Sequence, residues 1–281
     1  MAVPDAKADL VTVSVVVGDS SQLRFKLSPS SEGTAYFCLG VRKSGSTMLN
    51  KIVAYLARRN EVPTVDIPGA FFNSGFGAGA WANVDLSDVV RPNNIYMGFR
   101  SYPERLGGND CFRNGRKILL FRDTRDALVS QYFSDAYSHS LPSGETDSAA
   151  NAAEAFLRKR EKALATDINT YVIEKSRSFA NTMLAYKPLL TDDNCLVLRY
   201  EDYIFQKKRL IHKILDHFGW RCHSGQIENL LGRIDDVPEI ENEKKFVRKV
   251  IPGDHREKLS SKTIQQVDGR LREVLALFDY Y

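Results

Sequence analysis

The stretch at residues 35–59, AYFCLGVRKSGSTMLNKIVAYLARR, decides the predicted fold. Residues 35–41 form an unbroken apolar run of strand length, which is typical of a central strand buried on both faces of a parallel sheet. Residues 47–59 place their apolar side chains on one stripe and therefore predict an amphipathic helix. A glycine-containing loop thus joins a buried strand to a helix, which is a setting in which main-chain N–H groups bind phosphate.

The loop itself reads GVRKSGST at residues 40–47. Gly40 and Gly45 have the spacing of a nucleoside-triphosphate loop, but Ser46 stands where that loop has its lysine. The lysine of this chain, Lys43, lies two residues before the second glycine. A lysine there is closer to an α-position and its leaving group than to a terminal phosphate on magnesium. A plain Ser/Gly turn that begins a helix is the simpler alternative.

The composition outside this stretch is that of an ordinary soluble globular protein. The chain has 281 residues, 43% of them hydrophobic and 26% charged, with a formal net charge of +4. So small an excess does not indicate nucleic-acid or membrane-surface binding. The four cysteines lack CxxC spacing, and no N-terminal run is long enough for a signal or a membrane span. We therefore expect a cytoplasmic protein with reduced cysteines.

Strands alternate with helices along the rest of the chain. Strands are predicted at 11–17, 22–27, 63–67, 94–99, 117–121 and 194–198, and helices at 126–137, 151–165, 168–187, 206–218 and 262–279. The alternation predicts an α/β fold with a central parallel sheet flanked by helices. The first two strands, around a turn at 18–20, predict a small N-terminal β-hairpin. We expect residues 1–34 to be that appendage and 35–281 to be a single domain.

A second anion site is predicted after the strand at 117–121. Arg122 ends this strand, and Ser130 follows eight residues later in the next helix. A magnesium-dependent enzyme of this type would have an aspartate where Arg122 stands, whereas an arginine can bind an anion without metal. A third basic element, residues 246–256, could form a flap over an anionic ligand, although basic loops are more often merely solvated.

Four segments together resemble motifs of the sulfotransferase family that uses 3′-phosphoadenosine 5′-phosphosulfate (PAPS). The family motif P-K-S-G-T-T-W-L is similar to R-K-S-G-S-T-M-L at 42–49, and R-[ND]-P-[RK]-D-x-x-x-S to R-D-T-R-D-A-L-V-S at 122–130. The family's Y-E-D matches residues 200–202. Its R-K-G-x-x-G-D-W-K is similar to R-K-V-I-P-G-D-H-R at 248–256. The resemblance spans about residues 35–280.

The resemblance implies a cofactor site without metal. The residues implied to hold the 5′-phosphosulfate are Lys43, Ser44, Gly45, Ser46 and Thr47. Those implied for the 3′-phosphate are Arg122 and Ser130, with Arg248 and Lys249 closing over it. Lys43 would also stabilise charge on the bridging oxygen. Arg42 and Met48 complete the predicted cofactor-binding set.

Several positions depart from the family pattern. Arg42 replaces a proline, Met48 a tryptophan that often contacts adenine, Val250 a glycine and His255 a tryptophan. The adenine contact is therefore not assigned. Phe179 lies in a suitable stretch, but we expect it in the core.

The general base is the least defined part of the prediction. Cytosolic family members commonly use a histidine after a central strand, but the matching segment 99–103 contains none. Other relatives use a glutamate some twenty to thirty residues after the loop lysine, where this chain offers Asp66. We favour Asp66, with a turn residue as the alternative, and expect Arg100 to stabilise the sulfuryl oxygens. The other candidate bases are Glu61, Glu104 and His139.

The leading hypothesis is a transferase that moves the sulfuryl group from PAPS to an acceptor hydroxyl by in-line displacement. The acceptor would be a small molecule or a carbohydrate, because the aromatic residues Phe71, Phe72, Phe76 and Trp81 suit either. The alternatives are an ATP- or GTP-dependent phosphotransferase and a non-catalytic nucleotide-binding module. A homodimer is left open.

Overall fold

The computed structural model describes residues 10–17, 21–76, 79–144, 146–234 and 237–281. The strands are β1 (Val11–Val17), β2 (Ser21–Leu27), β3 (Tyr36–Gly40), β4 (Thr64–Asp66), β5 (Ile95–Phe99), β6 (Arg116–Phe121) and β7 (Cys195–Arg199). The helices are α1 (Ser46–Arg59), α2 (Ile67–Asn73), α3 (Asp110–Asn114), α4 (Thr124–Phe133), α5 (Asp147–Leu164), α6 (Ile168–Leu184), α7 (Tyr200–Tyr203), α8 (Lys207–Phe218), α9 (Ser224–Ile234), α10 (Asp254–Lys258) and α11 (Ser261–Leu277). Short 3₁₀ helices cover Ala80–Asn83, Glu104–Gly108 and Lys187–Thr191, and a π-helical turn covers Ser134–Ser138. The predicted turn at 18–20 lies outside the described residues.

Five strands form one parallel sheet in the order β4-β5-β3-β6-β7, and β1 pairs with β2 as an antiparallel hairpin. The predicted fold class is therefore confirmed. Because the five strands are parallel, their carboxyl ends lie at one edge of the sheet. We call this the carboxyl edge; its strand ends, in sheet order, are Asp66, Phe99, Gly40, Phe121 and Arg199.

A buried cluster covers each face of the sheet. Phe37 and Leu39 of β3 point into a cluster shared with α4, α6 and α11, whereas Cys38 points into one shared with α1, α8 and α9. Burying one large apolar side chain contributes about 2–3 kcal/mol. The two clusters therefore hold the sheet firmly between two helical layers, so that the loops at the carboxyl edge start from fixed positions.

The N-terminal hairpin packs onto the first of these clusters. Val15, Val17, Phe25 and Leu27 are buried in the same cluster as Phe37. Their alternation with exposed residues is the pattern of a hairpin with one covered face. Among the described residues, no helix is long and apolar enough to cross a membrane.

The segment that follows Asp66 folds as α2 (Ile67–Asn73). The Asp66 side chain accepts a hydrogen bond from the Gly69 main-chain N–H at 2.8 Å and so caps this helix. Pro68 lies in the first turn, where its missing N–H costs nothing. Phe71 is buried and anchors the helix. The Pro-Gly pair indicates a loop by composition, although both residues are compatible with the start of a helix.

Candidate anion and acceptor site

The loop after β3 is held in shape by Ser44. The Ser44 hydroxyl lies within hydrogen-bond distance of two main-chain carbonyls, Val41 at 2.7 Å and Leu120 at 3.0 Å, and the side chain is fully buried. Ser44 was predicted as a cofactor-binding residue. Because its hydroxyl is engaged inside the loop, that hydroxyl ties the loop to β6 instead of facing a ligand.

Two close approaches explain the glycines of the loop. Gly45 has φ 84°, and a Cβ on it would lie 2.9 Å from the ring of Tyr200. A Cβ on Gly40 would lie 2.6 Å from Cβ of Ser46. Side chains at either position would therefore push the loop away from the carboxyl edge.

The first turn of α1 presents main-chain donors at the carboxyl edge. Within the described part of the chain, no side chain caps this helix, and its first turn contains no acidic residue. The bond from Leu49 N–H to the Gly45 carbonyl, at 3.1 Å, closes the first turn. The N–H groups of Ser46, Thr47 and Met48 precede it and have no helical acceptor, so they and the helix dipole favour an anion here.

Lys43 projects from the loop with a left-handed backbone, φ 66°. Burial lowers the pKa of Lys43 to about 8; the carboxylate of Asp135 opposes the shift, and the guanidinium groups of Arg122, Arg100 and Arg42 add to it. These groups therefore surround Lys43 within electrostatic range. Its ammonium also lies 5.5 Å from the ring centre of Phe246, the first residue of the flap (residues 246–256).

Arg122 lies beside this loop, as predicted for the second anion site. Its side chain is almost completely buried, stacks 4.6 Å from the ring centre of Tyr200 and pairs with Asp126 at 3.3 Å. Among the described residues, its buried Nε has no hydrogen-bond partner. A buried guanidinium N–H without an acceptor is costly, so this site fits an anionic ligand that accepts from it.

Asp126 joins Arg122 to the flap. Its carboxylate accepts from Gly253 N–H at 2.7 Å and from His255 N–H at 3.0 Å, and its Oδ1 lies 2.6 Å from Nδ1 of His255. Burial alone would raise the pKa of Asp126, but the His255 hydrogen bonds and the charge of Arg122 outweigh it and hold this pKa well below its usual range. The histidine that replaces the family tryptophan therefore serves as a hydrogen-bond partner.

Replacing Asp126 with asparagine should lower the free energy of unfolding by roughly 2–4 kcal/mol, because the amide cannot satisfy the same buried donors. The carboxylate's folded-state pKa lies below its unfolded value of about 3.9, so its stabilisation is complete above that pH and disappears as the pH falls towards the folded pKa. Urea unfolding at pH 7 and at pH 3 measures this. An equal loss for Asp126→Asn at both pH values would contradict it.

Two basic residues of the flap, Arg248 and Lys249, are already paired with carboxylates. Arg248 contacts Glu241 and Asp254, and Lys249 Nζ lies 2.6 Å from Glu257. The sequence prediction that both side chains close over a phosphate did not include these partners. The Arg248 guanidinium also stacks 4.1 Å from the ring centre of Phe133, the last residue of α4.

Ser130 is placed on the face of α4 that the flap covers. Asp126, Ser130 and Phe133 are spaced four and three residues apart and so share one helix face. Asp126 and Phe133 contact the flap residues His255 and Arg248 respectively. Half-buried Ser130 lies between them along the helix.

Asp66 ends β4, and Arg100 follows the neighbouring strand β5. One Asp66 oxygen caps α2, and a Cβ on Gly98 would overlap this carboxylate. Burial raises the pKa of Asp66, although the Gly69 N–H and the charge of Arg100 oppose the shift. Burial likewise lowers the pKa of Arg100. Asp66 is thus both a helix cap and a carboxylate near Arg100.

An apolar cleft of about 470 Å³ lies between α2 and α5. Phe72, Phe76 and Phe156 line it, and the imidazole of His139 stacks on Phe156 with ring centres 4.7 Å apart. Of the four aromatic residues predicted for the acceptor site, Phe72 and Phe76 face this cleft. Phe71 and Trp81 are buried in the core instead.

The remaining candidates lie elsewhere. Glu61 follows the last turn of α1, at the amino edge of the sheet, opposite the loop. Glu104 is exposed at the start of a 3₁₀ helix. Phe179 is buried in the core, as expected. A larger cavity of about 660 Å³ lies beside the 3₁₀ helices at 80–83 and 104–108; its lining includes Trp81 but none of the predicted catalytic or cofactor-binding residues.

Comparison with known proteins identifies the family. The family model described as "Sulfotransferase domain" matches residues 109–279, more than half of the chain, although the loop at 42–49 lies outside the match. No curated protein sequence matches the chain significantly.

Solved structures add the fold. Mouse sulfotransferase SULT7A1, solved in complex with PAP, is 15% identical over 89% of each chain, with a TM-score of 0.58. A sulfotransferase from Alicyclobacillus acidocaldarius is 14% identical, covering 87% of this chain and 96% of its own, with a TM-score of 0.41. Only the first structure has a TM-score high enough to bear on the argument. Because its sequence identity is low, the likeness concerns the fold alone.

Proposed function

Since the chain belongs to the sulfotransferase domain family, we propose that it transfers a sulfuryl group from PAPS to an acceptor hydroxyl. The observation that carries this proposal is the meeting of three features at one sheet edge. They are the uncapped start of α1, the lysine Lys43, and the buried Arg122 with its unpaired Nε.

These features suit a donor with two separate anionic groups. The N–H groups at the start of α1 and Lys43 would hold the 5′-phosphosulfate, and Arg122 with Ser130 would hold the 3′-phosphate. Arg42 and Met48 would flank the first of these groups, and Arg248 and Lys249 would flank the second. When bound, the donor supplies an activated sulfuryl group with a phosphate leaving group. Lys43, in its protonated form, stabilises the negative charge that develops on the bridging oxygen.

The acceptor would lie between α2 and α5. Phe72, Phe76 and Phe156 offer apolar faces for a ring-bearing alcohol, and a sugar face also stacks on such residues. Arg100 would stabilise the sulfuryl oxygens. Asp66 would hold Arg100 in place and stands as a candidate base.

A thermal-shift panel tests the donor assignment. We expect 3′-phosphoadenosine 5′-phosphate (PAP) in excess EDTA to raise the melting temperature, because both anion sites consist of N–H groups and basic side chains. 5′-AMP should raise it less, since it lacks the 3′-phosphate. Stabilisation only by ATP with Mg²⁺ would favour a phosphotransferase and overturn the proposal. Binding of PAP without transfer to any acceptor would favour a non-catalytic nucleotide-binding module.

A further inference from the structure

We propose that His139, which follows the π-helical turn after α4, is the general base that takes the proton from the acceptor hydroxyl. This inference rests on the proposed function, because it assigns a residue for the same reaction. The histidine belongs to none of the motifs that carry the family resemblance. It is brought to the site by the segment that begins at Arg122 and runs through α4.

The imidazole of His139 is fixed in one orientation. Its main-chain N–H donates to the Ser134 carbonyl at 2.8 Å, and its own carbonyl accepts from Arg160 at 2.9 Å. The ring stacks on Phe156 at 4.7 Å, and the ring centre of Phe72 lies 6.1 Å away. A catalytic base needs this restraint, because proton transfer depends on hydrogen-bond geometry.

The hydrogen bond of the ring determines its tautomer. Nδ1 lies 2.8 Å from the Ser140 carbonyl oxygen, which can only accept, so Nδ1 carries the proton. In a neutral ring, Nε2 then holds a free lone pair. Nε2 has no hydrogen-bond partner among the residues that the structure describes. The base-competent nitrogen is therefore available to a ligand.

The position of His139 joins the apolar cleft to the sulfuryl site. Phe72 and Phe156, which contact its ring, also line the cleft. On the other side, His139 lies within electrostatic range of Lys43. An acceptor ring in the cleft would thus present its hydroxyl between His139 and Lys43.

Burial favours the neutral form of His139. Burial lowers its pKa, the Ser140 carbonyl and Asp135 oppose this, and Lys159 and Lys43 add to it. Asp135 is itself paired with Lys159 at 2.8 Å. Arg160 of the same helix α5 is bonded to the His139 carbonyl. At neutral pH the ring is therefore ready to accept a proton.

The proton balance of the step is simple. The proton of the acceptor O–H passes to Nε2 as the acceptor oxygen forms its bond to sulfur. The bond between sulfur and the bridging oxygen breaks, and its electron pair stays with the phosphate near Lys43. The imidazolium then returns the proton to solvent.

NMR of the full chain with ¹⁵N-labelled histidine tests the premise without any acceptor. We expect the His139 ring, identified by its loss in His139→Gln, to be the Nδ1–H tautomer at pH 7 with a pKa below 6.5. The Nε2–H tautomer, or a ring that is protonated at pH 7, would overturn the proposal. PAP stabilisation measured on the same samples reports separately on the proposed function.

Transfer to phenols of graded acidity tests the role itself. His139→Ala should lower kcat/KM for weakly acidic phenols about 100-fold or more, but much less for 4-nitrophenol, whose proton leaves readily. The exposed His212→Ala is the matched control and should behave as wild type. Equal losses on all phenols, no loss, or an acidity-dependent loss in Asp66→Asn instead, would overturn the assignment. PAP should stabilise His139→Ala as it does the wild type.

Discussion

Lys43→Ala should abolish sulfuryl transfer, lowering kcat/KM by about 1,000-fold, while PAP still raises the melting temperature. The loss follows because, in the proposed function, Lys43 neutralises charge on the leaving oxygen, and removing one such donor typically costs 100- to 1,000-fold. Binding survives because the α1 N–H groups and Arg122 remain. A steady-state assay beside a thermal-shift titration measures both quantities.

The pH profile of kcat/KM tests whether Lys43 is the group responsible for this loss of activity. Burial lowers its pKa to about 8, and only the protonated form stabilises the leaving oxygen, so kcat/KM should fall as the pH rises through about 8. Lys43→Arg should retain part of the rate and lose this fall, because a guanidinium stays charged. Lys51→Ala, exposed on α1, is the control. Retention of more than a tenth of kcat/KM in Lys43→Ala would show that the loop assignment is wrong.

Arg122→Gln should weaken PAP binding about 100-fold and leave 5′-AMP binding nearly unchanged. The buried guanidinium has an Nε without a partner, and charge-assisted hydrogen bonds to a phosphate contribute about 1.5–3 kcal/mol. Only PAP has the 3′-phosphate that would accept them. Calorimetric titration of both nucleotides gives the ratio directly.

Arg125 supplies the matched control for that experiment. It lies three residues from Arg122 and pairs with Asp123 and Asp268. Arg125→Gln should lose stability but keep the preference for PAP over 5′-AMP. If Arg122→Gln weakened both nucleotides equally, Arg122 would be a structural residue and the 3′-phosphate site would lie elsewhere.

Spacing along the chain was sufficient to predict that Lys43 and Arg122 follow neighbouring strands at one edge of the sheet. Lys43 and Arg122 follow neighbouring parallel strands, and parallel strands bring the residues after them to one edge whatever the packing details. The family match from residue 109 onwards includes Arg122, and the uncapped α1 supports the loop. The pairing of Asp126 with Arg122 had a signal too, since Asp126 lies in the first turn of the helix that follows Arg122.

What the sequence did not predict depends on side-chain contacts that neither a motif nor a periodic pattern specifies. Arg248 is held by Glu241 and Asp254, and charge alone does not distinguish a paired flap from an open one. Asp66 became a helix cap because the Pro-Gly segment after it folds as α2. His139 follows a π-helical turn, and its ring stacks on Phe156 of α5. No sequence motif predicts this placement.

The most direct test is a crystal structure of the protein with PAP. The 5′-phosphate should accept hydrogen bonds from the N–H groups of Ser46, Thr47 and Met48, with Lys43 Nζ beside it. The 3′-phosphate should lie on Arg122 and accept from its Nε. A nucleotide bound in the opposite direction, or one that contacts neither the start of α1 nor Arg122, would contradict the proposed sulfotransferase site.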